Sequence, residues 1–144
     1  MLVGQILKQK DISTIVTIRP DMTIAAAAEL LSSKKIGAII VQSTPDTYDG
    51  ILSERDVVRE LGKEGASVLT RTVDELMTRK LQVCVPDDTA LAVLERMSAG
   101  RFRHMPVIDG DKLVGLVSIG DVVSARLAEL AMENSALEGM IMGH

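Results

Sequence analysis

The nine residues GILSERDVV, Gly50 to Val58, recur as GLVSIGDVV, Gly115 to Val123. Gly, Ser, Asp and both Val fall at equal positions in the two copies. In each, a short apolar run reaches a Ser, and an Asp stands three residues further on. A Ser with an acid at that spacing reads as the N-terminus of a helix, the hydroxyl capping the first turn and the carboxylate reaching back. A second matched pair lies upstream. PDMTIAAAAELLS from Pro20 and PDDTALAVLERMS from Pro86 share Pro, Asp, Thr, Ala, Glu and Ser at one constant offset. The period is about 65 residues, too long for a solenoid repeat, so the chain reads as two copies of one small α/β unit.

Each copy orders its signals alike. A β-branched run opens it, Ile15 to Ile18 in the first copy and Gln82 to Val85 in the second. Proline then closes the strand because it has no N–H to pair. Thr23 and Thr89 are the expected N-caps of helices whose apolar residues recur at helical spacing: Ile24, Ala27, Ala28 and Leu31, then Leu91, Leu94 and Met97. Second strands follow at Ala38–Gln42 and His104–Ile108. Turn-rich STPDTYDG and DGDKLVG come next, the latter a hairpin signal. Third strands are expected at Gly50–Leu52 and Leu113–Val117, with helices starting just after Ser53 and Ser118. The unit is β-α-β-β-α, an α/β chain of the α+β type. LGKEGASVLTRT and a short helical VDELMT link the copies. From Asp121 to about Met142 the chain predicts one long amphipathic helix or two, with Val122, Val123, Leu127, Leu130, Leu137 and Ile141 as its apolar positions. The expected divisions are 1–66 for the first repeat, 67–128 for the second and 129–144 for a helical tail.

Composition narrows the function. The 144 residues are 47% hydrophobic with a formal net charge of −4, which gives ample material for a packed interior. One Phe, one Tyr and no Trp leave the core to Ile, Val, Leu, Met and Ala. Nucleic acid is not an expected partner, because clustered Lys and Arg and aromatic stacking platforms are both missing. No apolar run is long enough to span a membrane, and MLVGQILKQK lacks the regions of a signal peptide. With a single cysteine, Cys84, a disulfide framework is excluded, and a cytoplasmic location is expected. The only histidines are His104 and the terminal His144, too few for a His metal cluster. Cys84, between Val83 and Val85, reads as a buried inert thiol without a His partner. No phosphate-binding Gly-rich motif occurs. The eight methionines, Met132, Met140 and Met142 among them, read as adaptable packing with a partner surface as the alternative. No catalytic constellation is assembled, so the chain is not expected to be an enzyme.

The repeated G-h-h-S-x-x-D (h, apolar) ending in Asp56 and Asp121, the strand RHMPVID and the DELMT before the second copy resemble the cystathionine-β-synthase (CBS) domain. Together the copies resemble a tandem CBS pair over Val3 to about Leu127, most like stand-alone bacterial pairs with no catalytic domain attached. The resemblance implies two repeats packed about a pseudo-twofold axis, with clefts between them that take AMP, ATP or NAD(H) as regulatory ligands. It also implies a homodimer, and an enzyme or transporter as the regulated partner.

Residue by residue, the resemblance places Ser53, Asp56, Ile51 and Arg55 opposite Thr78, Val83, Phe102, Arg103 and His104 in one cleft. Ser118, Asp121 and Leu116 would face Lys8, Val16, Ile36, Gly37 and Ala38 in the other. An ionised carboxylate only accepts, so each Asp can take the two donors of a ribose diol. Phosphate belongs instead at the helix N–H groups and at Arg103 and His104. Arg101 is expected to point away from that pair. The second cleft has Lys8 where the first has Thr78, and its Gly37 and Ala38 carry no charge. Capping alone also accounts for both Asp residues, and the two roles are compatible at one side chain.

Overall fold

The structure, a computed structural model, describes residues 1–10, 15–79 and 82–142. His144 lies outside the described residues. In chain order the elements are α1 (Val3–Gln9), β1 (Thr17–Ile18), α2 (Ile24–Lys34), β2 (Ala38–Val41), β3 (Gly50–Ser53), α3 (Glu54–Glu64), a 3-10 segment (Gly65–Thr70), α4 (Val73–Leu76), α5 (Ala90–Gly100), β4 (His104–Asp109), β5 (Lys112–Ser118) and α6 (Ile119–Ile141). They form two compact units, one of Thr14–Leu81 and one of Met1–Ser13 with Gln82–His144. The N-terminal segment, which chain order groups with the first repeat, therefore packs with the elements of the second.

In the first unit, β1 runs parallel to β2, and β2 antiparallel to β3. Thr23 caps α2 by accepting from the Ala26 amide at 3.2 Å. On the core side of that helix are Ile24, Ala27 and Leu31, meeting Ile39, Val41 and Leu52 of the sheet. The second unit repeats the plan with one difference. The strand expected over Gln82–Val85 is reduced to a single parallel bridge, Cys84 to Val107. In the first unit, two amides in and just after β2 hold β1 and the residue before it, Ile40 to the Val16 carbonyl and Gln42 to that of Ile18. Ile108 repeats the second bond, to Cys84 at 2.8 Å. Pro106 stands where Ile40 stands and has no N–H to give, so the other rung is missing.

β4 and β5 form the expected hairpin, turned at Gly110 with φ +63 and bulged between Val107 and Ile108. On α5 the buried face is Ala90, Val93 and Met97, with Leu94 half-buried and Leu91 exposed. Met97 is as expected, but in place of Leu91 and Leu94 the core takes the smaller Ala90 and Val93, which align with Ile24 and Ala27. The tail is one helix, α6, which buries Val122 and Ala125. Each unit has its own aliphatic core, and the only Phe, Phe102, sits at the edge of the second.

The repeated glycine earns its place by close approach rather than by unusual φ. A Cβ on Gly50 would lie 2.7 Å from the Thr78 carbonyl oxygen and 2.9 Å from the Met77 sulfur. On Gly115 it would meet the Leu7 methyl groups at 2.6 and 2.9 Å. Thus within each unit a segment from outside the repeat, the residues just after α4 in the first and α1 in the second, lies directly over the strand that carries the motif. A backbone oxygen cannot yield as a Leu side chain can. Gly50→Ala is expected to cost about 3 kcal/mol and Gly115→Ala about 1 kcal/mol in urea unfolding. Equal losses would show that the two approaches are not what separates these sites.

Candidate functional site

Both motif helices begin in the same way. β3 ends at Ser53, whose hydroxyl accepts from the Asp56 amide at 3.2 Å, while Asp56 Oδ2 accepts from the Ser53 amide at 2.9 Å and its hydroxyl at 3.0 Å. β5 ends at Ser118, which accepts from the Asp121 amide at 3.1 Å, and Asp121 Oδ2 accepts from the Ser118 amide at 2.8 Å. The reciprocal pair satisfies helix-end donors that would otherwise lack partners. It also fixes where each carboxylate stands, at the positive end of a helix dipole. The preceding strand is tied in too, since the Glu54 amide donates to the Gly37 carbonyl and the Ile119 amide to that of Arg103.

Each carboxylate has a cation beside it that the repeat motif does not reveal. Arg59, one turn along α3, donates to Asp56 Oδ1 at 3.1 Å; Asp56 is buried and the Arg side chain is 52% exposed. Lys10, at the end of α1, donates to Asp121 Oδ2 at 2.6 Å and to the Leu116 carbonyl at 3.0 Å. Partial burial works against ionisation of Asp121, but the Lys10 ammonium and the Ser118 donors outweigh it and hold the carboxyl below its ordinary range. Among the described residues no donor reaches Asp121 Oδ1.

The expected site residues divide between the units. Ile51, Ser53, Arg55, Asp56 and Thr78 share the first, and Thr78 bridges Ile51 through reciprocal backbone bonds of 3.0 and 2.9 Å. Arg55 and Thr78 are exposed. Val16, Ile36, Gly37 and Ala38 belong to this same unit, with Ala38 buried and paired to Ser53. Lys8, Val83, Phe102, Arg103, His104, Leu116, Ser118 and Asp121 belong to the other. There His104 opens β4 directly across from Ser118. Arg103 is exposed at the entry to that strand, and Arg101 is the left-handed C-cap of α5, with φ +56.

Lys8 is exposed on α1, and Lys10 is the lysine that reaches Asp121. Arg59 could have been found as a basic residue one helical turn from Asp56. Lys10, separated from Asp121 by most of the chain, left no local signal. Cys84 is buried, its thiol donates to the Pro106 carbonyl at 3.7 Å, and burial pushes its pKa up to about 11, as an unreactive thiol requires. Among the described residues, no group of three or more His, Cys, Asp or Glu is placed to hold a metal ion. No helix there is long and apolar enough to cross a membrane.

A carboxyl held low when folded stabilises the protein above its unfolded pKa of about 4 and ceases to as pH falls through the lower folded value. Lys10→Gln is therefore expected to cost about 1 kcal/mol at pH 7, the pair being partly solvent-screened. In urea unfolding, the gap from wild type narrows as pH drops below about 4. A gap unchanged at pH 3 would remove the ion pair as its cause.

A model of the CBS domain matches residues 5–63 and again 73–128. The mitochondrial CBS domain-containing protein CBSX3 of Arabidopsis thaliana is 33% identical over 127 residues, 85% of this chain and 62% of the relative. The chain thus spans less than two thirds of that relative, and about a quarter of the CBSCBSPB3 protein of the same plant. Among solved structures, the CBS-domain protein ATU1752 of Agrobacterium tumefaciens superposes with a TM-score of 0.84 at 39% identity, covering 88% of this chain and 99% of that one. The CBS pair of protein MJ0100, in complex with 5-methylthioadenosine and S-adenosyl-L-methionine, has the same fold at 23% identity and a TM-score of 0.77, covering 90% of this chain and 98% of that one. With two matched segments, two copies of one motif and two units of one plan, the chain belongs to the CBS domain family and carries the domain twice.

Proposed function

We propose that this chain is a regulatory module that binds an adenosine-containing nucleotide, AMP, ATP or NAD(H), and through it controls an enzyme or transporter. The observation that carries this reading is the disposition of the two carboxylates. Each is anchored through Oδ2 by its own Ser, and among the described residues Oδ1 receives no donor at Asp121 and only the half-exposed Arg59 at Asp56. An ionised carboxylate has about four lone-pair sites, so both retain capacity for a ribose hydroxyl. Arg59 and Lys10 supply positive charge beside that position, where a nucleotide's phosphates need it. Arg103 and His104 are assigned to phosphate by family resemblance. MJ0100 supports adenosine as the shared chemistry, since both of its ligands contain it.

For occupancy to signal, the ligand must bind one arrangement of the protein more tightly than another. Self-association into a homodimer is the second element of this reading. A ligand-independent scaffold is the alternative, favoured by the exposed apolar residues of α6, among them Leu127 and Leu137. It predicts no nucleotide-dependent rise in melting temperature.

Asp→Asn substitution keeps an acceptor for the Ser amide but removes the charge that strengthens a ribose hydrogen bond. In calorimetric titrations with AMP, ATP, NAD and NADH, Asp56→Asn and Asp121→Asn together are expected to weaken binding about 10- to 100-fold. Arg103→Ala should weaken ATP more than adenosine. Equal affinities in wild type and the double variant would remove the ribose contact from the account.

A further inference from the structure

α6 outlasts the core it covers. Val122 and Ala125 are buried against the second unit, whereas from Leu130 to Met142 every residue but Gly139 is exposed. Along the helix, Val123, Leu127, Leu130, Asn134, Leu137 and Ile141 follow one another in alternating steps of four and three residues. That alternation is the a/d spacing of a coiled-coil seam, with Leu127, Asn134 and Ile141 at a and Val123, Leu130 and Leu137 at d. All six are exposed, Leu127 to 62% and Ile141 to 74%. The seam lies roughly a third of a turn around the helix from the core-facing residues, so one helix can serve both faces.

We infer that α6 pairs in parallel with α6 of a second copy of this chain, with Asn134 facing Asn134 to set the register. This deepens the homodimer element of the reading above and is independent of nucleotide. The occupant follows from the seam's own chemistry. Ile141 at a with Leu130 and Leu137 at d favours two strands, and a lone Asn at an a position selects an in-register parallel partner, where the two amides can bond to each other. An antiparallel pairing would set a against d, placing Asn134 over an apolar residue such as Leu130 with its amide buried and unsatisfied. A partner lacking an Asn at the matching place would carry the same penalty.

The seam is about 2.5 heptads long, short of the 3–4 that argue for an independent coiled coil. Its flanks bring Glu133 of one copy near Glu138 of the other. The pairing is therefore concentration-dependent, and salt strengthens it by screening that repulsion.

Sedimentation equilibrium of the whole chain over the micromolar range tests this. Wild type is expected to be a dimer that tightens with salt. Leu130→Lys with Leu137→Lys, both on the exposed surface, should leave circular dichroism and melting of the monomer unchanged while weakening association on the order of 100-fold. Leu137→Cys should cross-link to its counterpart on mild oxidation, as facing d positions allow, while Cys84 stays silent inside the core. A monomeric wild type would overturn both the homodimer and the seam. A dimer that survives the two lysines would overturn the seam alone. Dimers that Leu137→Cys does not cross-link would overturn the parallel register.

Discussion

The junction where a strand ends at Ser and a helix begins is the constraint around which each unit is built. A strand terminus and a helix N-terminus both leave backbone donors without partners, and burying them unmatched would cost more than the local packing returns. Ser53 with Asp56, and Ser118 with Asp121, answer this locally by exchanging hydrogen bonds across one turn. The carbonyls of Gly37 and Arg103 take the next helix amides and so fix the helix against the neighbouring strand. Gly50 and Gly115, three residues before each Ser, keep open the space through which a segment from outside the repeat crosses. The motif thus couples strand pairing, helix initiation and segment crossing in a few residues, and a carboxylate at the helix mouth is the by-product.

That carboxylate is alike in the two units, but its neighbourhood is not. Asp56 is matched by Arg59 from its own helix, whose guanidinium can exchange one acceptor for another. Asp121 is matched by Lys10, a more enclosed ammonium that also holds the Leu116 carbonyl and joins α1 to β5 and α6. The cation at the first mouth is half in water and also pairs with Glu60; the one at the second is enclosed and tied to a backbone carbonyl. The two carboxylates stand at equivalent places, and their electrostatics differ because one cation comes from the motif helix itself and the other from the segment after α1.

Much of this was legible in the residues because the forces involved are local. Thr23 and Thr89 cap their helices as their spacing to the apolar residues requires. Gly110 turns the hairpin that its DGD context announces. The Asp at the third helical position reaches its Ser because one turn of helix permits nothing else. Where several local preferences compete, local pattern misplaces the element. Two Leu suggest a face of α5 one residue away from Ala90, and the run Gln82 to Val85 predicts a strand although Pro106 across from it lacks the amide needed for a second rung.

The sequence by itself determined the repeated β-α-β-β-α unit, its capped helix starts, an aliphatic core nearly without aromatics and a long amphipathic last helix. Each follows from spacing within a few turns or from composition. Tertiary structure alone decided that α1 packs with the second repeat's elements, that Lys10 and not Lys8 reaches Asp121, and that the motif glycines are kept small by Thr78, Met77 and Leu7. Those contacts join residues tens of positions apart, and which distant side chain arrives at a given point depends on chain path and packing together, quantities that no local pattern encodes.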